Sequence, residues 1–131
     1  MIVVDTSALM AIALAEASAD ACIQVLEAET EVIISAGTLA ETLIVAGRRK
    51  VTDEITNLIE GLGFEILPVT TSTARRVAQA YERWGNGVHP AGLNFGDCFA
   101  YEAAATHDCP LLYVGEDFSR TDLRSALPPA A

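Results

Sequence analysis

The chain has 131 residues, of which 51% are hydrophobic and 20% are charged, and this composition excludes a disordered protein and suffices for one buried core. Its formal net charge of −10 argues against a broad basic groove for nucleic acid, although metal ions could still bring in a phosphate substrate. We find no apolar run as long as a membrane span, no signal-peptide pattern, and no metal or redox spacing among the three cysteines. We therefore expect a cytoplasmic protein with reduced thiols and no membrane partner.

The first half of the chain alternates short apolar runs with helical patterns. Residues 2–4 (IVV) predict a strand, and the segments 7–15 and 18–29 predict two helices. A second apolar run at 32–35 (VIIS) predicts another strand, which leads into a helix over 37–46. The order strand, helix, helix, strand, helix is typical of an α/β protein.

The second half continues the same alternation. A helix is predicted from residue 52 to about 61–63, and the run 64–69 (FEILPV) predicts a third strand. A helix over 71–84 is followed by a Gly-rich loop, after which Asn94 caps a helix that extends to about His107. The run 111–114 (LLYV) predicts the fourth strand.

Strands that are apolar throughout and separated by helices predict a parallel sheet covered on both faces. We expect one domain over residues 1–131, with 127–131 frayed. Sites in such sheets form beyond the carboxyl ends of the strands. Asp5 directly follows the first strand, and the turn 115–117 (GED) follows the fourth.

Asp5 is an acid at the end of a buried strand, where a carboxylate is costly unless something pairs with it. One interpretation is an N-cap for the next helix, since Asp is a common cap. Thr6 and Ser7 already offer capping hydroxyls, however. We therefore favour a functional carboxylate at this position.

For two acids inside helices, a structural role and a functional role both remain open. Glu41 lies in a helix that is apolar nearly all round, so it needs a cation, a metal or a proton, unless it shares a narrow exposed stripe with Thr38 and Thr42. Asp97 is the third helical residue after the cap Asn94, where it either completes a capping box or serves a site.

Three or four carboxylates that meet at one sheet edge would repel one another unless cations are present. Clusters of hard oxygen ligands select Mg²⁺ or Mn²⁺. Zinc is not expected, because neither of the two histidines lies near a cysteine at zinc spacing. Glu116 and Asp117 are adjacent and point in different directions, so at most one of them is expected to face such a site.

Four segments resemble the motifs of PIN-domain ribonucleases, and more narrowly of the VapC toxins of bacterial toxin–antitoxin pairs. They are MIVVDTSAL, AETLIV, GLNFGDCFAYEAA and LLYVGEDFSRTDL. The first and third are specific, whereas AETLIV is short and apolar. The resemblance spans essentially the whole chain and implies a three-layer α/β/α fold with a central parallel sheet of four or five strands.

The resemblance also implies a Mg²⁺-dependent endonuclease, with Mn²⁺ as a substitute, that cuts RNA with metal-activated water. Many relatives carry a TxDxxF pattern after the fourth strand, and here Gly115 occupies the position of its acid. The implied catalytic acids are Asp5, Glu41, Asp97 and Asp117, of which Asp5 and Asp97 hold the metal. Supporting residues are Thr6 and Ser7, which could orient a water, and the alternative acids Glu116 and Asp122.

Implied partners are an antitoxin of the VapB type, an RNA substrate and a second copy of the chain in a homodimer. Two other function classes remain open from the residues. One is a catalytically inactive domain of the same fold that only binds a partner. The other is a hydrolase that forms an aspartyl-phosphate on Asp5, although Ser7 stands where the haloacid-dehalogenase type has a second Asp, and no central Lys is present.

Overall fold

A computed structural model describes residues 1–129 and shows short parallel strands alternating with helices. In chain order the elements are β1 (Ile2–Val4), α1 (Thr6–Ala13), α2 (Ala19–Ala28), β2 (Val32–Ser35), α3 (Ala36–Arg49), α4 (Thr52–Leu62), β3 (Glu65–Leu67), α5 (Thr71–Trp84), α6 (Phe95–Thr106), β4 (Leu111–Leu112) and a 3-10 helix (Phe118–Arg120).

The four strands form one parallel sheet in the order β3-β2-β1-β4. Val3 pairs with Ile33 of β2 on one side and with Leu111 of β4 on the other, so β1 is central. The predicted α/β/α fold with a parallel sheet is confirmed. Because all strands run in the same direction, the residues that follow β1, β2 and β4 meet at one edge of the sheet.

Alternate residues of the central strands contact two separate cores, as the two-residue period of a strand requires. On one face, Val3 and Ile33 pack with buried residues of α5 and α6, such as Trp84 and Ala100. On the other face, Ile2, Val4 and Ile34 pack with α1, α2 and α4, where the buried residues are Leu9, Leu26 and Ile55. Helices thus cover both faces, which explains why β1 and β2 are apolar throughout.

Several boundaries differ from the prediction. Helix α3 continues through Gly47 to Arg49 and ends where Lys50 adopts a left-handed conformation with φ 60°. Strand β4 contains only Leu111 and Leu112, and β3 is a largely exposed edge strand. An edge strand has one paired neighbour and little covering, so its apolar residues do not imply burial.

Helix α3 buries a different face from the one that either interpretation of Glu41 predicted. Thr38 and Thr42 are fully buried, while Leu43 and Ile44 are exposed. The predicted exposed stripe of Thr38, Glu41 and Thr42 is therefore wrong, and so is the expectation that the apolar residues are mostly buried. The hydroxyls face α1, Leu39, Val45 and Ala46 pack against the core, and Leu43 and Ile44 face solvent.

The three cysteines, Cys22, Cys98 and Cys109, are free and buried, as expected. Among the described helices, none has the length and hydropathy that crossing a bilayer requires. The predicted fraying of 127–131 lies partly outside the described residues, since 130 and 131 are not described. Leu127 is half-buried against the core on the α1 side of the sheet.

Candidate active site

Asp5 lies at the carboxyl end of β1, where it caps α1, and only 3% of its surface is exposed. Its Oδ2 accepts hydrogen bonds from the Ser7 amide at 3.0 Å and the Ser7 hydroxyl at 2.6 Å. Its Oδ1 is buried and has no hydrogen-bond partner among residues 1–129. Burial raises the pKa of Asp5, the Ser7 hydrogen bonds oppose that rise, and the charge of Glu41 adds to it.

Ser7 connects Asp5 to the end of β4. Its hydroxyl donates to Asp5 and accepts a hydrogen bond from the Val114 amide at 3.0 Å. The Asp5 amide in turn donates to the Leu112 carbonyl at 2.9 Å. The backbone of Asp5 and its Oδ2 are therefore both tied to the sheet edge, whereas Oδ1 is not.

Asp97 occupies the third position of α6 and completes a capping box. The Asn94 amide donates to Asp97 Oδ2 at 3.0 Å, and the Asp97 amide donates to Asn94 Oδ1 at 2.8 Å. Burial raises the pKa of Asp97 to about 7, against the Asn94 hydrogen bond, and the charges of Asp5, Asp117 and Glu41 contribute to the rise. The capping box of Asp97 is thus confirmed, and the role of Asp97 in a site stays a prediction.

Glu41 reaches the same cluster from the middle of α3. The Thr6 hydroxyl donates to its Oε1 at 2.6 Å, and its Oε2 lies against Gly96 so closely that a Cβ at position 96 would overlap it. Gly96 is the second residue of α6, so the Glu41 carboxylate lies at the positive end of that helix. The half-buried carboxylate is held without a salt bridge to any cationic side chain of residues 1–129.

The three acids after β4 differ in their positions relative to Asp97. Asp117 precedes the 3-10 helix, and its charge acts on Asp97. Glu116 is exposed. Asp122 is directed away from the cluster, because its Oδ1 accepts a hydrogen bond from the Tyr101 hydroxyl at 2.7 Å and its Oδ2 lies 3.8 Å from Arg83. Asp5, Glu41 and Asp117 thus lie close enough to Asp97 for their charges to raise its pKa, while Asp122 is engaged elsewhere.

The hydroxyls of Thr6 and Ser7 each hold one acid of the cluster. The Thr6 hydroxyl donates a hydrogen bond to Glu41, and the Ser7 hydroxyl donates one to Asp5. Their role in orienting a water stays a prediction.

The donor set fits a hard divalent cation. Within residues 1–129, no three His, Cys, Asp or Glu side chains are already arranged around one point as metal ligands. Mg²⁺, however, usually keeps several waters and uses only one or two protein carboxylates. Asp5 offers a buried oxygen without a partner, and the described hydrogen bonds of Asp97 use only its Oδ2. These two side chains could therefore hold the ion.

Sequence reasoning missed Gly96. Gly is unfavourable inside a helix, so its position directly before Asp97 is a signal that a close contact requires it.

Next to the acid cluster, an apolar surface lies between α3, α5 and α6. Phe95 is its ridge, with 71% of its surface exposed. The groove on the α3 side of Phe95, here called the α3 groove, is lined by Ala40, Glu41, Ile44, Gly96 and Phe99. The groove on its other side is lined by Val69, Val77, Tyr81 and Cys98. The α3 groove thus includes a carboxylate of the cluster in its wall.

Comparison with known proteins agrees with this architecture. The model of the PIN domain family matches residues 2–123. Ribonuclease VapC42 of Mycobacterium tuberculosis is 36% identical over 128 residues, which cover 95% of this chain and 98% of that protein. Ribonuclease VapC28 of the same organism is 39% identical over 129 residues, covering 95% and 97%.

Solved structures show the same fold at lower identity. Mycobacterium tuberculosis VapC20, described as a sarcin-ricin loop cleaving toxin, superposes with a TM-score of 0.80 at 17% identity, over 98% of this chain and 100% of that one. A toxin–antitoxin complex from Klebsiella pneumoniae superposes with a TM-score of 0.69 at 19% identity, over 93% of both chains.

Proposed function

Because this chain belongs to the PIN domain family, within its VapC ribonucleases, we propose that it is a Mg²⁺-dependent endoribonuclease and the toxin of a toxin–antitoxin pair. One observation carries the proposal. Asp5, Glu41 and Asp117 come from separate parts of the fold and lie close enough to Asp97, at the N-terminus of α6, for their charges to raise its pKa, and Oδ1 of Asp5 is buried without a partner among residues 1–129.

Asp5 and Asp97 would hold Mg²⁺, with Mn²⁺ as a substitute. When bound, such an ion lowers the pKa of a water and offsets charge on the phosphate. Ser7 keeps Asp5 Oδ2 turned toward α1, so that Oδ1 remains available. The Asn94 amide likewise holds Asp97 by Oδ2. Both ligands are thus oriented by neighbouring hydrogen bonds before any ion binds.

Glu41 would orient the attacking water or accept its proton. The Thr6 hydrogen bond and the contact with Gly96 fix the carboxylate at the α6 N-terminus, beside the two proposed ligands. Asp117 lies in an exposed turn and would complete the site from its rim. We propose RNA in the cytoplasm as the substrate.

An antitoxin of the VapB type would inhibit the protein through the α3 groove. The exposed residues Ile44 and Phe95 suit the apolar face of an amphipathic helix. Glu41 and Gly96 line the same groove, so a chain bound there ends next to the acid cluster. An Arg of the antitoxin could then make two hydrogen bonds to the carboxylates in place of the metal ion. A homodimer is proposed from the resemblance to VapC proteins.

Purified protein, a short RNA and Mg²⁺ provide the test. We expect cleavage by the wild type that is lost in Asp97→Asn and in excess EDTA, while Asp122→Asn, whose carboxylate lies outside the cluster, cleaves normally. Cleavage that persists in EDTA would contradict the metal-dependent mechanism. Absence of any cleavage with Mg²⁺ or Mn²⁺, together with intact antitoxin binding, would support the inactive partner-binding module. A covalent phosphate on Asp5 would support the aspartyl-phosphate hydrolase.

A further inference from the structure

One face of α3 forms a wall of the α3 groove. Its lining residues follow the spacing of a single helix face and include Glu41, Ile44, Val45 and Arg48. Glu41 and Arg48 are seven residues apart, which is about 10.5 Å along a helix. The groove therefore has a carboxylate of the acid cluster in its wall and a cation two turns further along.

Arg48 is a cation without an acidic partner. It is exposed, and it forms no salt bridge with any acid of residues 1–129, whereas three other arginines do: Arg76, Arg83 and Arg124. Arg48 and Arg49 both lie in the last turn of α3, where a cation is favoured by the helix dipole. Of these two, Arg48 lines the groove and Arg49 does not. The dipole is common to both, so the position in the groove is what distinguishes Arg48.

Phe95 provides an exposed ring on the other wall of the same groove. Its surface is 71% exposed, and Phe99 packs against it edge-to-face with 5.0 Å between ring centroids. Phe95 immediately precedes Gly96, which lies against the Glu41 carboxylate. An exposed aromatic ring is a platform on which a nucleic-acid base can stack whatever its identity. An aromatic ring, a cation and a carboxylate of the cluster thus border one groove.

An RNA strand has the chemistry that matches this combination. A bound metal ion offsets the charge of the phosphate that it contacts, but the flanking phosphates face a chain with a net charge of −10. They need a cation of the protein, and Arg48 supplies one in the same groove as Glu41. A guanidinium binds phosphate oxygens by two parallel hydrogen bonds. A purely apolar helix would contact Phe95 and Ile44 but would leave Arg48 without a partner.

We propose that the α3 groove is also the path of the RNA strand, in which Arg48 binds a phosphate that flanks the scissile one and Phe95 stacks with a base. The inference rests on the proposed cleavage of RNA and assigns two residues that bind the strand without taking part in the reaction. It also means that a protein partner seated in this groove and the RNA exclude each other.

Arg48→Gln and Arg49→Gln are matched variants, because both remove one charge from the same turn and only the first changes the groove. The probe is a pool of short single-stranded RNAs of random sequence, cleaved with Mg²⁺. We expect Arg48→Gln to raise KM about tenfold with kcat within about twofold of the wild type, since a charged hydrogen bond to the bound strand is lost. Arg49→Gln should change neither value by more than about twofold. Equal rises in KM would assign the effect to net charge and overturn the inference.

Stacking is tested at Phe95. Phe95→Leu keeps an apolar side chain but removes the ring, so KM should rise about fivefold or more. RNA should also quench the fluorescence of Phe95→Trp and leave that of Val88→Trp unchanged, because Val88 is exposed and lines neither groove. Equal quenching of both variants, or no quenching of Phe95→Trp, would overturn the role of Phe95.

Binding without metal separates this inference from the proposed function. In EDTA, the fluorescence anisotropy of the labelled pool should give a Kd about tenfold higher for Arg48→Gln than for Arg49→Gln. The slope of log Kd against log salt concentration should also be less steep by about 0.7 in Arg48→Gln, the value for one phosphate of a single strand. If the wild type binds the pool but does not cleave it with Mg²⁺ or Mn²⁺, the proposed function fails, and these binding data alone decide the inference. No binding by the wild type, or an equal Kd in the two variants, would overturn the inference and leave the groove to a protein partner.

Discussion

Gly96 lies against the carboxylate of Glu41, and any side chain at position 96 would overlap Oε2. The reciprocal contact is found one turn away, where Gly37 of α3 makes room for the ring of Phe99 of α6. Two glycines, one on each helix, therefore allow α3 and α6 to approach closely. This approach brings Glu41 to the end of the helix that carries Asp97.

Gly96→Ala should displace Glu41 and reduce cleavage, because the new Cβ and the carboxylate cannot occupy the same space. We expect kcat to fall on the order of 10- to 100-fold, as misplacement of a catalytic group by about 1 Å does in enzymes. Gly61→Ala is the matched control, since a Cβ there meets nothing within 4 Å. It should leave cleavage unchanged and raise stability slightly. Wild-type kcat in Gly96→Ala would show that Glu41 is not needed in its present position.

Without metal, the stability of the fold should fall as pH rises from about 4 to 7. Burial raises the pKa of Asp97 in the folded state from its ordinary value of 3.8 to about 7, so in this interval the folded state keeps a proton that the unfolded state has lost. The stabilisation that this proton provides is complete below the pKa of Asp97 in the unfolded state. It is lost as the pH rises through the pKa of Asp97 in the folded state. One pKa unit is worth about 1.4 kcal/mol, so the effect is on the order of a few kcal/mol.

Melting curves in EDTA at pH 5 and pH 8 measure this effect. Asp97→Asn keeps an acceptor for the Asn94 amide, so its melting temperature should exceed that of the wild type at pH 8 by more than at pH 5. Glu116→Gln carries the same change in charge on an exposed residue and should show no such difference. A larger advantage of Asp97→Asn at pH 5 would contradict the assigned direction.

Mg²⁺ or Mn²⁺ should raise the melting temperature, because only the folded state brings Asp5 and Asp97 together. An ion at 100 times its Kd stabilises by about 2.7 kcal/mol, which is several degrees for a domain of this size. Asp5→Asn preserves the cap of α1 and should lose most of this rise. Zn²⁺ should not restore cleavage after chelation. An equal rise in wild type and Asp5→Asn would place the ion elsewhere.

Asp117 and Glu116 should differ in their effect on cleavage. The charge of Asp117 is among the main causes that raise the pKa of Asp97, and that of Glu116 is not among them. We expect Asp117→Asn to lower kcat about tenfold, the range for loss of one positioned charge at an active site, and Glu116→Gln to stay within about twofold. The opposite order would identify Glu116 as the acid that faces the site.

Antitoxin binding should depend on Phe95, which lies between the two apolar grooves. Phe95 is 71% exposed and packs edge-to-face on Phe99 with 5.0 Å between ring centroids. Phe95→Ala should weaken the complex by about 30-fold or more if the ring is a buried anchor. Val88→Ala is the control, because Val88 is an apolar residue with 60% of its surface exposed that lines neither groove. Unchanged affinity in Phe95→Ala, with a loss of self-association instead, would assign the surface to a homodimer.

Metal and antitoxin should compete if an Arg of the antitoxin enters the acid cluster. Millimolar Mg²⁺ should then weaken the complex, and Gln in place of each Arg in the toxin-binding tail should remove that dependence. Association should also slow as salt is added, since the toxin is acidic. Independent binding of metal and antitoxin, with full inhibition by the Gln variants, would leave blockage of the α3 groove as the mechanism.

The sequence alone was sufficient for the features that depend on local pattern. The continuous apolar runs of β1 and β2 predicted a sheet covered on both faces, and a parallel sheet directs Asp5 and the turn after β4 to one edge. The spacing of Asn94 and Asp97 likewise identified the start of α6 and its capping box. These features need only a few consecutive residues, so they can be recognised without knowledge of long-range contacts.

Tertiary structure decided which face of α3 is buried and which acids meet. This helix carries apolar residues on nearly every side, so its periodicity does not distinguish the face with Thr38 and Thr42 from the face with Leu43 and Ile44. The choice depends on contacts such as that between Thr6 and Thr42, which are 36 residues apart, and on the close approach at Gly96. Asp122 lies outside the cluster because it accepts a hydrogen bond from the Tyr101 hydroxyl, which is another contact between distant residues. Such contacts arise from complementary shape and hydrogen bonding between distant segments, which no local pattern encodes.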